Sequence, residues 1–298
     1  MTHSQNPIDI IVVDGGSTDD TVRIAKKYTS KVFSTPLNAP AAYNYAMKHT
    51  DSDILGFIDA DAKVEKEWLN KLLPHLGDPR VAGVSGGIET WNPENAWARS
   101  IGYDMKNRYS RLEKSAVRIA TMNLLLRKHV IEEAGGFDEN LPSQYDTDLG
   151  FRITNKGYKI MYEPSAKCYH FNRTNLRAYY RQQLQYGKNT LKLYFKHASL
   201  AKGDRITDFG MNIQPILFLT IIVFFLLGIL PPLRLLWYFA AGLALLIFVY
   251  YLFCAVKISV KFKDKSAMRL VVLYFVRSIA WFVGAVITSV KYLAGDRR

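Results

Sequence analysis

Two apolar runs that each end in acid narrow the folds open to this chain. The first is Asp9-Ile10-Ile11-Val12-Val13-Asp14, followed by Gly15-Gly16-Ser17-Thr18-Asp19-Asp20-Thr21. The second is Ile54-Leu55-Gly56-Phe57-Ile58, followed by Asp59-Ala60-Asp61. Each run is short, rich in aliphatic residues and bounded by turn residues, the pattern of a strand buried on both faces of a parallel sheet. Ligands of such sheets bind beyond the carboxyl ends of the strands. Both acidic clusters are therefore expected along one rim, where they suit a metal and a phosphorylated ligand.

The elements between them alternate. Helices are predicted over Asp19–Tyr28, with Ser17 or Thr18 as N-cap, over Ala41–His49 behind Pro40, and over Val64–Leu76. Strands are predicted over Lys31–Ser34 and Val81–Gly86. This β-α-β-α-β order predicts an α/β doubly wound sheet. Further helices are predicted over Glu94–Leu112, over Arg127–Ala134 stopping at Gly135-Gly136, and over Asp148–Lys156 with Gly157 as C-cap. A short strand, Tyr158–Tyr162, follows.

Hydrophobicity changes along the chain. Up to about His197 charged and apolar residues are mixed. From Ile213 onward three stretches, about Ile213–Leu230, Leu233–Val256 and Leu270–Tyr292, approach the roughly 20 residues needed to cross a bilayer. Charges are nearly absent within them, which disfavours the alternative of helices buried in a large soluble core. The basic linker from Lys257 to Arg269 is placed in the cytoplasm by the positive-inside rule. Three crossings then put the N-terminal domain inside and the tail outside, although tail residues Lys291, Arg297 and Arg298 oppose that assignment. Leu176 to His197 mixes Tyr179, Tyr180 and Tyr186 with Arg177, Arg181 and Lys188, as an interfacial helix does; an ordinary domain helix is the alternative. The net charge of +13 points to anionic headgroups, and a membrane anchor explains it without nucleic acid. Cys168 and Cys254 imply no disulfide framework. The expected domains are 1–175, an interfacial segment over 176–210, and a transmembrane region over 211–298.

Asp59 and Asp61 lie two apart. On an extended backbone their side chains point the same way, and paired carboxylates are hard ligands for Mg²⁺ or Mn²⁺. A solvated turn is the plainer reading of such a triplet.

Together the pieces resemble the family 2 glycosyltransferases of the GT-A fold. The resemblance rests on Ile11-Val-Val-Asp14-Gly-Gly-Ser17-Thr-Asp19-Asp-Thr21, Phe57-Ile-Asp59-Ala-Asp61-Ala, Gly135-Gly-Phe-Asp-Glu139, Asp146-Thr-Asp-Leu149-Gly-Phe-Arg152 and Gly157-Tyr-Lys-Ile-Met-Tyr-Glu-Pro164-Ser-Ala-Lys-Cys-Tyr-His170. It covers roughly residues 7 to 190. The resemblance implies a nucleotide-sugar donor, a UDP-sugar above all, and a lipid-linked or glycan acceptor at the cytoplasmic face of the cell membrane. It implies Asp14 as the acceptor of a hydrogen bond from the nucleotide base, against the alternative of a strand cap. It implies Asp61 as the direct metal ligand, with Asp59 beside it toward the ribose or a metal-bound water. Asp146 becomes the base that deprotonates the attacking hydroxyl in an inverting transfer, and it also caps a helix. His170 is a further candidate ligand for the metal or diphosphate, or a structural histidine. Asn123 and Arg127 are candidates for lining the donor or acceptor pocket, and Arg152 is expected to pair with a carboxylate.

The sequence departs from the family in three ways. The family's opening strand and helix are not found before Ile8, so the sheet is expected to be N-terminally incomplete. Tyr145 precedes the candidate base where the family usually has Glu. Tyr43 precedes Asn44 where an arginine is often found. Two other readings stay open: a non-catalytic membrane scaffold derived from such an enzyme, favoured by the missing strand, and a sugar-phosphate nucleotidyltransferase.

Overall fold

The computed structural model describes residues 8–295. Met1–Pro7, the residues before Ile8, and the tail residues Arg297 and Arg298 lie outside the described residues. In chain order the elements are β1 (Val12–Asp14), α1 (Thr21–Ala25), β2 (Val32–Ser34), α2 (Ala39–Met47), β3 (Ile54–Phe57), β4 (Ala62–Val64), α3 (Trp68–Leu72) and β5 (Val81–Thr90). There follow α4 (Ala96–Tyr109), β6 (Leu124–Arg127), α5 (Lys128–Glu133), α6 (Tyr145–Asn155), β7 (Lys159–His170) and α7 (Leu176–Lys196). The chain then runs through α8 (Phe209–Asn212), α9 (Gln214–Leu227), α10 (Leu235–Phe262) and α11 (Leu270–Leu293).

Two compact units emerge. The first comprises the residues up to Gly87 together with Glu113–Tyr169. The second comprises Ile88–Leu112 and the residues from His170 onward. Helix α4 thus groups with the apolar helices and not with the sheet domain expected over 1–175. The reason is polar pairing: the α4 residue Tyr103 donates its hydroxyl to Asp264 Oδ2 at 2.8 Å, and Ser100 Oγ donates to the Ser266 carbonyl at 2.8 Å.

The first unit is an α/β domain whose sheet is mixed and split. Strands β1 and β2 pair in parallel, Val12 opposite Val32 and Asp14 opposite Ser34. The other five run in the order β3-β6-β5-β7-β4. Strand β6 is antiparallel to both neighbours, with Phe57 opposite Leu124, Ile54 opposite Arg127, and Gly83 opposite Leu126. The parallel pairing expected of the two acid-ended runs holds for β1, whereas β3 pairs antiparallel with β6. Strands β4 and β6 escape sequence reading because three or four residues carry little periodicity and gain their definition from the ladder beside them. Fully buried Leu124 and Leu126 join Ile131, Leu149, Ile153 and Ile160 in one core layer. Leu125, on the alternate face, packs with Leu72, Val84 and Trp68 in another. The period-2 alternation along β6 feeds both layers.

Helix ends follow local chemistry. Asn38 caps α2 by accepting from the Ala41 N–H at 3.1 Å, and Pro40 sits in the first turn. Helix α5 ends at Gly135 and Gly136, with φ of +85° and +74°, where a side chain would be strained. Helix α1 starts after Asp20, whose side chain makes no cap bond, so neither Ser17 nor Thr18 serves as its cap.

In the second unit, α9 and α10 form an antiparallel hairpin closed by a 3-10 turn at Pro231–Leu233. Trp237 Nε1 donates to the Phe225 carbonyl at 3.0 Å across it. Among the described residues three helical stretches, Phe209–Leu227, Leu235–Phe262 and Lys265–Leu293, are long and apolar enough to cross a membrane.

Candidate active site

The acid at the end of β1 is committed to its own turn. Asp14 is buried, and one of its carboxylate oxygens accepts from the Gly16 N–H at 3.0 Å and the Ser17 N–H at 3.1 Å. Gly16 permits this turn by adopting φ +105°. The Ser17 hydroxyl first, and then the Ser17 and Gly16 N–H groups, hold the Asp14 carboxyl below the usual carboxylate range against the opposing effect of burial.

The acids after β3 are arranged differently from the extended pair expected above. The Ala62 N–H donates to the Asp59 carbonyl at 3.0 Å, so Asp59-Ala60-Asp61 turns directly into β4. Asp59 is fixed by two hydroxyls. Tyr43 Oη, from α2, donates to its Oδ1 at 2.6 Å, and Thr121 Oγ1 donates to the same oxygen at 3.2 Å. Burial and the nearby Asp59 charge keep the Tyr43 phenol protonated far above its ordinary range. The chain of contacts continues from Thr121 Oγ1 to Tyr145 Oη at 3.3 Å. The Tyr43 ring lies 5.3 Å from Phe57, 5.2 Å from Phe137 and 5.9 Å from Tyr145, an aromatic wall behind the acid.

Asp146 is the residue after Tyr145, in the first turn of α6. Its Oδ1 accepts from the Thr147 N–H at 2.7 Å. Its pKa is pushed up to about 6, chiefly by burial; the Asp59 charge adds to the rise, while the Thr147 N–H and the Arg118 charge oppose it. Arg118 stands beside the helix start and donates to Gln144 Oε1 at 3.2 Å and to Thr147 Oγ1 at 3.1 Å. Gln144 has φ +68°, a left-handed conformation uncommon for a non-glycine residue. Such strain gathers where the surrounding structure over-determines a loop.

Cys168 on β7 shares this neighbourhood. Its thiol is fully buried, donates to the Met122 carbonyl at 3.2 Å and is pushed up to about 12, by burial first and then by the charges of Asp59 and Asp61. It is an inert thiol. Asp59 thus acts on Cys168 together with Asp61 and on Asp146 as well, which places the three acids in one electrostatic neighbourhood.

Two expected site residues are structural. Asn123 is fully buried with its amide spent on the fold: it accepts from Trp68 Nε1 at 2.6 Å and donates to the carbonyls of Gly87 at 2.8 Å and Ala166 at 3.3 Å. A pocket-lining role is corrected to that of a spacer tying α3, β5 and β7. Arg127 sits opposite Ile54, at the start of β3, whereas Asp59 follows its end. Its guanidinium binds the carbonyls of Val81 and Leu76 and so closes the opposite rim of the sheet. Arg152 pairs as expected, with Asp148 at 2.7 Å. His170 lies in the second unit, its Nδ1 3.0 Å from Asn172 Oδ1. Thr121 and Arg118 carried no sequence signal; their roles come from a loop that only the folded sheet brings to Asp59 and α6.

Among the described residues no group of three His, Cys, Asp or Glu side chains is gathered for a metal. Asp59 and Asp61 are therefore not part of a closed protein cage. They fit a divalent cation that takes one or two carboxylates and completes its coordination with phosphate oxygens and water, as Mg²⁺ commonly does.

Comparison with known proteins agrees with this architecture. Residues 3–133 match the model of Glycosyl transferase family 2. The chain is 30% identical over 209 residues to the pre-mycofactocin glycosyltransferase of Mycobacterium tuberculosis (strain CDC 1551 / Oshkosh), covering 66% of this chain and 44% of that protein. It is 30% identical over 181 residues to the O-antigen chain rhamnosyltransferase WbaN of Salmonella anatum, covering 56% of this chain and 58% of that one. The chain thus spans about half the length of these curated relatives. Among solved structures it is similar to the mannosyltransferase PcManGT from Pyrobaculum calidifontis in complex with GDP-Man and Mn2+. The TM-score is 0.54 at 17% identity, covering 94% of this chain and 77% of that one.

Proposed function

We propose, for a chain whose residues 3–133 match glycosyl transferase family 2, a metal-dependent inverting transfer of a sugar from a nucleotide-sugar donor to a lipid-linked or glycan acceptor at the cytoplasmic face of a membrane. The observation that carries this reading is the run of contacts from Tyr43 through Asp59 and Thr121 to Tyr145, which brings a candidate metal-binding acid and the candidate base Asp146 to one site.

The residues take roles that their surroundings support. Asp14, rigid in its turn, is the acceptor for a base N–H. Asp61 and Asp59 hold Mg²⁺ or Mn²⁺, the neighbour solved with Mn2+ lending support; a bound cation supplies charge compensation for the leaving diphosphate. Asp146 accepts the proton of the acceptor hydroxyl as that oxygen attacks the anomeric carbon. A carboxylate whose pKa is raised toward the working pH is a better base than an ordinary aspartate. The rings of Tyr43, Phe57, Phe137 and Tyr145 pack together, and Tyr43 presents its hydroxyl to half-buried Asp59. A UDP-sugar is the expected donor, with GDP-sugars the alternative in a donor panel. The O-antigen relative and the apolar helices support an acceptor presented at a membrane.

The test is release of nucleoside diphosphate by the full chain in lipid nanodiscs, across a panel of nucleotide sugars with Mg²⁺ or Mn²⁺. Cation-dependent turnover that vanishes in Asp146→Asn supports the reading. Failure of every donor to bind in the presence of cation would reject it in favour of a scaffold.

A further inference from the structure

Among the described residues three helical stretches qualify for a membrane by length and composition; the third meets the other two near its start, where Ser278 Oγ donates to Gln214 Oε1 at 2.7 Å, and α7 along the rest of its length. Helix α11 runs alongside α7 in the same direction. Trp281 Nε1 donates to Gln183 Oε1 at 3.0 Å, Thr288 Oγ1 donates to the Lys188 carbonyl at 3.1 Å, and the rings of Phe195 and Tyr292 lie 5.2 Å apart. The backbones touch between these points. A Cβ on Gly187 would meet Trp281 Cα at 2.6 Å, and one on Gly284 would meet the Lys188 backbone nitrogen at 2.7 Å. Any tilt of α11 in a bilayer is therefore shared by α7.

Helix α7 cannot share a crossing. It carries Arg177, Arg181, Lys188, Lys192 and Lys196 at helical spacing, with Arg177, Arg181 and Lys196 exposed. Cations on a lipid-facing helix are costly at membrane depth. Most exposed residues of α11 form a complementary apolar stripe, Val272, Ile279, Val286, Val290, Tyr292 and Leu293, with Lys291 exposed at its end. One helix of the pair thus shows cations and the other shows mainly apolar side chains. That is the division of a layer lying in the plane of a membrane surface, with its apolar side toward the acyl chains and its basic side toward headgroups and water.

The α9–α10 hairpin has the opposite character. Its outward side chains are apolar, Leu235 at 63% and Leu246 at 68% exposure among them, and its span windows are only 11% and 22% buried against 44% for the third. Lipid is the solvent that such a surface needs.

We infer that only the α9–α10 hairpin enters the bilayer, while α11 lies along the membrane surface as the partner of α7. Two passages in place of three return the chain to its starting side. The end of α11 then shares a side with the basic α10–α11 linker, and Lys291 obeys the positive-inside rule that a third crossing would break. The inference rests on the membrane setting proposed above and is independent of the transfer chemistry.

The test is single-cysteine labelling of the full chain in its native membrane with a membrane-impermeant maleimide. Lys265→Cys lies in the exposed linker and Leu293→Cys at the 86% exposed end of α11. Peptide mass spectrometry reads each position separately from Cys168 and Cys254. The expected result is that both positions react in inverted vesicles and neither reacts in intact cells. Reaction of the two positions from opposite sides would establish a third crossing and overturn the inference. Recovery of the chain in the soluble fraction without detergent would overturn the membrane setting itself, leaving the chemistry of the first unit to be judged by the transfer assay.

Discussion

The Tyr43 hydroxyl donates to Asp59 Oδ1 at 2.6 Å, and the Tyr43 ring lies 5.9 Å from that of Tyr145. These two tyrosines stand at positions where the chain departs from the pattern of the family it resembles. Folding brings them together around one carboxylate. Neither departure is an isolated loss of charge: the pair supplies a protonated donor and an aromatic wall to Asp59. Tyr43→Phe removes the hydroxyl and keeps the ring. Removing a group that orients a metal ligand typically costs about 10–100-fold in metal affinity or activity. The cation concentration for half-maximal turnover is expected to rise by that order with the fold intact by circular dichroism. An unchanged cation requirement would remove Tyr43 from the site.

Asp146→Asn separates chemistry from binding. The amide keeps the shape of the carboxyl and cannot take a proton. Turnover is expected to fall by about 10²–10⁴-fold, the usual worth of a positioned base, with donor affinity by calorimetry unchanged. Retained turnover in this variant would refute the base assignment.

The pH profile tests the surroundings of Asp146. Its pKa is pushed up to about 6, so turnover is expected to rise with pH through an acidic limb near that value. Arg118 lowers this pKa, and Arg118→Gln is expected to move the limb to higher pH. The stability effect has the opposite slope. The unfolded carboxyl titrates near about 4, so the folded state binds more protons between about 4 and 6. Stability associated with Asp146 is present below the unfolded value and is lost as pH rises through about 6. Asp146→Asn should therefore melt above the parent chain at neutral pH, with the difference closing toward pH about 4. A constant difference across that range would mean Asp146 does not titrate there.

Removal of divalent cations with a chelator is expected to abolish turnover, and excess Mg²⁺ or Mn²⁺ should restore it. Asp61→Asn should weaken that restoration without lowering the melting temperature, because Asp61 stands in the turn before β4 and not in a core layer. Full activity in chelator would rule out a role for the cation.

Asn123→Ala probes a structural reading. It deprives buried Trp68 Nε1 of its acceptor and the Gly87 carbonyl of a donor, at about 1–3 kcal/mol for each group left unsatisfied. The melting temperature should fall while the donor KM of the folded fraction stays put. A changed donor KM at unchanged stability would return Asn123 to the pocket.

The end of β1 at Asp14, the turn after β3 and the glycine stop of α5 at Gly135 and Gly136 were legible in the sequence because turn residues interrupt apolar runs, which is local information; the start of α1 was not. The apolar character of the last third was legible for the same reason. What the sequence could not yield was long-range. Strand β6 is four residues whose direction is set by its neighbours β3 and β5. Asn123 and Arg127 have the composition of pocket residues, and only the sheet reveals one in its interior and the other at its far rim. Thr121 and Arg118 reach the site through a loop whose course depends on the packed core. Hydropathy counts α11 among the crossing helices, because a window average is blind to which neighbour a face meets. Composition marks the segments apolar enough to cross a membrane; the close approach of Gly187 and Gly284, many residues apart, binds one of them to α7, and only the tertiary structure shows it.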